Sequence, residues 1–202
     1  IAAGWEWVKE DAYDDAYYRQ WMHELPPMIH RERDRMIDVH HTILPMTARQ
    51  RPDAAAMLAD AVSITERLSV LSPEDMVCHS VAHLLADGDM AGGLRNLWDI
   101  HCLLEKVDLQ RLAVRAERHG IGRHVAQAQR LAAALYGDGR GERLTLWDRL
   151  VMWRLLARDG WGRETRKLLR FAFYIRSHWL RMPPMMLARH LFTKWRKGHR
   201  PV

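Results

Sequence analysis

The sequence is poor in cysteine and contains no long apolar run. Its 202 residues include two cysteines, Cys78 and Cys102, which are too few for a disulfide framework and do not form a CxxC pair. No apolar stretch approaches the roughly 18 residues of a membrane-spanning helix. The apolar fraction of 48% and the charged fraction of 28% argue against a disordered chain. These features predict a folded protein of the reducing cytoplasm.

A start signal is also missing. The chain begins Ile1-Ala2-Ala3-Gly4, with neither an initiator methionine nor the basic and apolar regions of a targeting peptide. We therefore expect the chain to be part of a longer protein, so that a functional site can be present here only in part.

Acidic residues are scarce near the C terminus. Residues 161–202 contain eleven Lys or Arg and one acidic residue, whereas residues 1–60 contain seven basic and eleven acidic residues. Such asymmetry suggests an anionic partner. Aromatic and aliphatic residues recur there at helical spacing, which favours packed helices with a solvated rim. An anionic membrane surface bound peripherally through residues 163–200 comes second, and nucleic acid is the least favoured partner.

Two short apolar runs near the N terminus flank a charged turn. Residues 23–30 and 36–44 surround the polar residues 31–35, a pattern typical of a β-hairpin. Because proline has no N–H group to donate, Pro26 and Pro27 confine the first run to a sheet edge or a bulge.

The sequence after Pro45 has apolar residues at helical spacing and room for one short strand. The clearest helix start is Ser72-Pro73, with serine as N-cap and proline at the first helical position. The predicted fold class is α+β, mostly α, with a short β-hairpin followed by an antiparallel helical bundle. Predicted helices span residues 72–86, 90–107, 108–119, 123–136, 144–158, 164–181 and 185–197.

Asp38 lies between the β-branched residues Ile37 and Val39. An ionised carboxylate on a buried strand costs several kcal/mol unless it is paired or bound to a metal. On a half-exposed strand it costs little, so taken alone the residue is better explained by a plain surface position. A functional interpretation needs further evidence.

Four sequence blocks together resemble one family. They are residues 23–27 (HELPP), 37–45 (IDVHHTILP), 71–83 (LSPEDMVCHSVAH) and 93–100 (GLRNLWDI). Their order and spacing over roughly residues 20–105 are similar to those of the uncharacterised nucleotidyltransferase family of the polymerase-β-like superfamily, although each block alone is a weak signal.

The resemblance implies Mg²⁺-dependent transfer of a nucleoside monophosphate from a nucleoside triphosphate to a hydroxyl of an unknown acceptor. In that superfamily a Gly-Ser or Gly-Gly turn and an Asp-x-Asp pair precede a third carboxylate on a neighbouring strand. Asp38 matches the third carboxylate, and would be the catalytic residue and part of a Mg²⁺ site. The earlier elements do not occur before it, so we expect this chain alone to be inactive.

The resemblance also implies a domain division. Residues 1–50 would form the C-terminal part of a nucleotidyltransferase-like α/β domain, with the hairpin as the remnant of a small mixed sheet. Residues 51–202 would form a helical domain with basic C-terminal helices, which shapes the acceptor site.

Two histidines could lie close to Asp38. His40 follows two residues later on the same strand face, and His23 could approach it across the hairpin. They could contact substrate phosphate or orient a carboxylate, or they could only hydrogen-bond to backbone at a sheet edge. The sequence leaves both interpretations open.

His79 and His83 have the i, i+4 spacing of metal ligands on one helix. A zinc or HD-type hydrolase site lacks further support, because no glutamate follows the first histidine and no His-Asp doublet is present. We predict instead a structural polar network of His79, His83 and Asp99 that ties two helices together.

A function of a different class stays open at this stage. The chain could be a non-enzymatic helical binding module whose basic C-terminal segment docks on an anionic membrane or another anionic partner. The nucleotidyltransferase interpretation is preferred because it accounts for the order of the four blocks.

Overall fold

Three short strands form an antiparallel sheet near the N terminus of the computed structural model, which describes residues 1–8, 12–137 and 143–196. Strand β1 (Trp5–Trp7) pairs with β2 (Met28–His30), and β2 pairs with β3 (Arg35–Ile37). Helix α1 (Ala12–Trp21) connects β1 to β2. The predicted hairpin is therefore confirmed as β2–β3, with β1 as an additional strand on its outer side.

Pairing of the two hairpin runs continues beyond the sheet with a change of register. Glu24 and His40 form an isolated antiparallel bridge, whereas the next ladder pair is Met28 with Ile37. Between these pairs three residues on one run face two on the other, which is a β-bulge. The extra length falls at the paired prolines, which cannot donate to a ladder. Of the two predicted placements for the prolines, the bulge is the one observed.

Helices account for most of the remaining chain, and the fold is α+β and mostly α, with 54% of residues helical. After the hairpin come α2 (Ala54–Ala59) and a second two-stranded antiparallel sheet of β4 (Val62–Thr65) and β5 (Leu68–Val70). The sequence predicted one strand in this part, and that prediction was wrong. The structure has two strands, which pair with each other. The later helices are α3 (Pro73–Val81), a π-helix (Ala82–Asp87), α4 (Gly93–Leu104), α5 (Leu109–Arg118), α6 (Gly122–Tyr136), α7 (Leu146–Leu155), α8 (Lys167–Arg181) and α9 (Pro184–Arg196).

Helix α3 begins as the sequence predicts. The Ser72 side chain accepts a hydrogen bond from the Asp75 backbone N–H, and Pro73 occupies the first turn. The helix does not stay regular, because it changes to π-helical geometry at Ala82. A π-helical segment rotates the side chains that follow it relative to an α-helix, and such segments are frequent at functional sites.

One apolar core joins the helices to the end of the hairpin. Its fully buried members include Val77, Leu97 and Leu131, and the same cluster contains Ile43 and Leu44. Burying each such side chain contributes about 1.5–3 kcal/mol. The segment after His40 is therefore anchored on the helices, which holds the hairpin next to α3. Across the described ranges, no helix has both the length and the apolarity required to traverse a bilayer.

Candidate functional site

Five polar residues meet where the hairpin contacts α3 and the π-helix. This histidine cluster consists of His23, Glu24, His40, His79 and His83. The ring centroids of His23 and His40 are 4.9 Å apart, those of His79 and His83 are 4.6 Å apart, and those of His23 and His83 are 6.2 Å apart. The structure thus brings together four histidines that the sequence places in two separate groups.

Backbone pairing fixes the first three members of the cluster. Glu24 and His40 are opposite each other in the antiparallel bridge, and the His41 N–H donates to the His23 carbonyl oxygen at 2.9 Å. The Thr42 N–H donates to the same oxygen at 3.3 Å. The Nε2 atom of His40 is 3.2 Å from Oε2 of Glu24. These side chains are therefore held together by strand geometry and not only by flexible contacts.

The other two histidines stand one helical turn apart and are partly buried. Burial lowers the pKa of His79 to about 4, with smaller contributions from His83 and His40. Burial likewise lowers the pKa of His83 to about 4, with contributions from His23 and His40. Both imidazoles are therefore neutral near pH 7. Neutral rings can pack closely without charge repulsion.

Asp38 is exposed, just beyond the last residue of β3 and two residues before His40. Among the described residues, no hydrogen bond or ion pair involves its carboxylate. The carboxylate is thus accessible to a ligand, and it is not buried against the helices.

Asp99 is not a member of the histidine cluster. It is exposed on α4, and among the described contacts none joins it to His79 or His83. The neighbours of that helical pair are instead His23 and His40, which come from the hairpin.

Glu24 is the member of the cluster that the sequence reasoning did not single out. Its carboxylate is 22% exposed and lies beside His40. It belongs to the HELPP block, directly after His23. The adjacency was visible in the sequence, but the pairing of Glu24 with His40 depends on the bulge and could not be read from spacing.

A small cavity adjoins the cluster. Its volume is about 170 Å³, which is below the roughly 300–1,000 Å³ of sites that enclose a whole drug-sized ligand. It suits a group the size of one phosphate more than a complete nucleotide. The lining residues are His40, His41, Thr42, Ile43, Ala54, Met57, Leu58, Leu71 and His79.

Arginines of the basic C-terminal segment make contacts inside the protein. Arg176 donates to the Leu85 carbonyl at 2.6 Å, at the π-helix. Arg166 donates to the Trp153 carbonyl at 2.8 Å, and Arg170 pairs with Glu164. These contacts agree with packed helices that carry a solvated rim. Residues 197–200 of the basic segment predicted to bind an anionic surface lie outside the described residues, and an anionic partner stays a prediction.

Comparison with known protein families identifies the family of this chain. A family model described as an uncharacterised nucleotidyltransferase matches residues 1–137, which include the hairpin, the histidine cluster and the helices as far as α6. The match covers more than half of the chain, so the chain belongs to this family. No curated protein and no solved structure matches it.

Proposed function

We propose that the intact protein transfers a nucleoside monophosphate from a nucleoside triphosphate to a hydroxyl of an acceptor, with Asp38 as a catalytic residue. Family membership supports the transferase class. The observation that carries the role of Asp38 is its exposure just after β3, two residues before His40 of the histidine cluster. An exposed carboxylate two residues before His40, which lines the cavity, is available to a cation.

A requirement for Mg²⁺ is part of this proposal. Magnesium takes octahedral oxygen ligands and keeps several waters, with one or two carboxylates from the protein. Asp38 would supply one such oxygen. Its described neighbours in the cluster are mostly imidazoles, which do not suit magnesium. The described residues therefore do not complete a magnesium site.

The histidines would contribute to substrate binding. The His40 side chain is 41% exposed and lines the cavity, so its imidazole can donate a hydrogen bond to a phosphate oxygen. His23 lies behind it and would orient the ring. His79 also lines the cavity, and its neutral ring would add bulk without adding charge.

No specific observation favours the other functions. A binding module that docks through the basic segment loses support because several of its arginines are engaged internally. A hydrolase built on His79 and His83 gains no carboxylate from Asp99, which lies apart. Cytoplasmic location, the acceptor and inactivity of this chain alone stay predictions.

The proposal is tested by label transfer from α-labelled nucleoside triphosphates in the intact protein. We expect Asp38→Asn to reduce the rate by about 100-fold or more, because the variant removes the anionic oxygen that Asp38 would supply as a ligand to Mg²⁺. Asp34→Asn is the matched control. Asp34 is an exposed carboxylate of the same hairpin, and its backbone φ of 46° is one that asparagine adopts readily. Wild-type transfer by Asp38→Asn would refute the assigned role.

A further inference from the structure

We propose that His23, Glu24 and His40 form a binding site for one divalent transition-metal ion of the Zn²⁺ type. Each residue offers one ligand atom, and these three atoms all lie within 4.8 Å of one another. The inference rests on this geometry and does not depend on nucleotidyl transfer.

The backbone holds the three ligands in place before any ion binds. Glu24 and His40 are bridge partners on adjacent runs, and His23 precedes Glu24 directly. The hydrogen bond from the His41 N–H to the His23 carbonyl fixes the third member. Sites supported by paired strands keep their ligand geometry better than sites on free loops. Little backbone ordering is then needed when the ion binds.

The distances are those of a site that closes around an ion. Zinc bonds to histidine nitrogen and carboxylate oxygen are about 2.0–2.2 Å long, which places tetrahedral ligand atoms roughly 3.3–3.5 Å apart. Nε2 of His40 and Oε2 of Glu24 are already 3.2 Å apart. No distance among the three ligand atoms exceeds 4.8 Å, so the site would need to contract by little more than about 1 Å around the ion.

The donor set selects the type of metal. Two imidazoles and one carboxylate suit zinc and similar borderline ions, whereas magnesium and calcium favour oxygen ligands alone. Two histidines and a glutamate with an open fourth position is also a ligand set of catalytic zinc sites. This site is therefore chemically distinct from the magnesium site that the proposed transferase activity requires.

Access and surroundings are consistent with an ion that exchanges with solvent. The His40 side chain is 41% exposed and that of Glu24 is 22% exposed, so an ion can enter from the surface. His83 lies behind His23 at 6.2 Å between ring centroids. The fourth position would be taken by water or by an anionic ligand oxygen.

Calorimetric titration of the purified, chelator-treated protein with Zn²⁺ alone tests the proposal. We expect one tight site per chain, and Glu24→Gln and His40→Gln should each weaken binding by about 100-fold or more. Millimolar Mg²⁺ should not displace the zinc. Tight zinc binding that both variants retain, absence of a tight site, or displacement by Mg²⁺ would each overturn the proposal.

Two control variants separate the site from ordinary surface histidines. His41→Gln alters the exposed neighbour of His40, and His101→Gln removes a histidine that lies 3.8 Å from Glu105 on α4. Both should bind zinc as the wild type does. A loss of affinity in these variants equal to that in Glu24→Gln would contradict the assignment.

A measurement on the unmodified protein covers the case in which a variant does not fold. X-ray absorption of the zinc-loaded wild type should show two imidazole ligands and no sulfur. Zinc at about 100 times its Kd should also raise the Tm by several degrees. A sulfur ligand, or a coordination shell without imidazole, would show that the ion binds elsewhere.

Discussion

Buried polar groups are arranged differently in the helical bundle and in the histidine cluster. In the bundle, fully buried Asp75 accepts hydrogen bonds from Arg115 at 2.7 and 2.6 Å and lies 3.0 Å from Nε2 of His119. The histidine cluster instead contains four imidazoles and one carboxylate, with His23 and His40 close to Glu24 and with His83 between His23 and His79. The Asp75 network matches charge with charge, as a structural network does, whereas the cluster has more imidazoles than carboxylates. This difference is consistent with a structural role for the Asp75 network and with the ligand-binding role that we propose for the histidine cluster.

A second network in the bundle follows the same rule. Buried Asp148 accepts hydrogen bonds from Gln127 and Arg130, and it completes a capping box with Thr145 at the start of α7. One carboxylate thus closes a helix N-terminus and joins α6 to α7. All of its acceptor capacity is used inside the fold, so it has no role left for an external ligand.

The largest effect is expected from breaking the Asp75 network. Burial alone would raise the pKa of Asp75, but hydrogen bonds from Arg115 and His119 hold it below its ordinary value. Asp75→Asn leaves a mostly buried guanidinium without its main partner and should cost about 3–5 kcal/mol in the free energy of unfolding, measured with urea.

Asp60→Asn provides the control, because Asp60 contacts the same arginine but its side chain is 47% exposed. The Asp60→Asn substitution should lower the free energy of unfolding by no more than about 1 kcal/mol. Equal losses in the two variants would mean that burial does not distinguish these contacts.

The next largest effect is a dependence of stability on pH. Although burial alone would raise it, hydrogen bonds from Arg130, Thr145 and Gln127 lower the pKa of Asp148 to about 2, from 3.8. The unfolded carboxyl therefore takes up its proton first as the pH falls, and the stabilisation present above pH 3.8 is lost toward pH 2.

The Asp148→Asn variant has no carboxyl group at this position, so its stability lacks this dependence on pH. The difference in unfolding free energy between wild type and variant should shrink by roughly 2 kcal/mol between pH 5 and pH 2, followed by chemical denaturation at each pH. A constant difference across this range would show that the carboxylate gains nothing from its partners.

The smallest effect is expected in the histidine cluster. His40→Gln removes a partly exposed contact with Glu24 and should change the metal-free unfolding free energy by less than about 1 kcal/mol. A loss above 2 kcal/mol, measured with urea, would place His40 among the structural groups and break the contrast with Asp75.

Local signals in the sequence predicted most of the fold. The Ser72-Pro73 start and the helices α4 to α9 follow from caps and helical spacing, which are properties of neighbouring residues. Strand β1 was not predicted, because its three residues are not part of a longer apolar run. The β4–β5 pair was missed although Val62–Thr65 and Leu68–Val70 alternate apolar and polar residues on either side of a charged turn. The change to π-helix at Ala82 has no local signal that we recognise.

The site was predictable only in part. Asp38 and His40 stood out because they are polar residues in an apolar run, and the approach of His23 across the hairpin follows from strand pairing. The proximity of His23 to His83 depends on the packing of Ile43 and Leu44 against the helical core. This packing joins residues that are far apart in the sequence, so local patterns do not predict it. Asp99 does not approach His79 and His83 as expected, because it lies on the exposed face of α4.

The central claim is that ligands bind where the hairpin meets α3, while the bundle provides support. Amide hydrogen exchange of the intact protein, with and without Mg²⁺ and each common nucleoside triphosphate, tests it most directly. We predict slower exchange in residues 36–44 and 79–83 and no change in α5 or α6. Protection that appears in α8 and α9 and leaves the hairpin unaffected would contradict the claim.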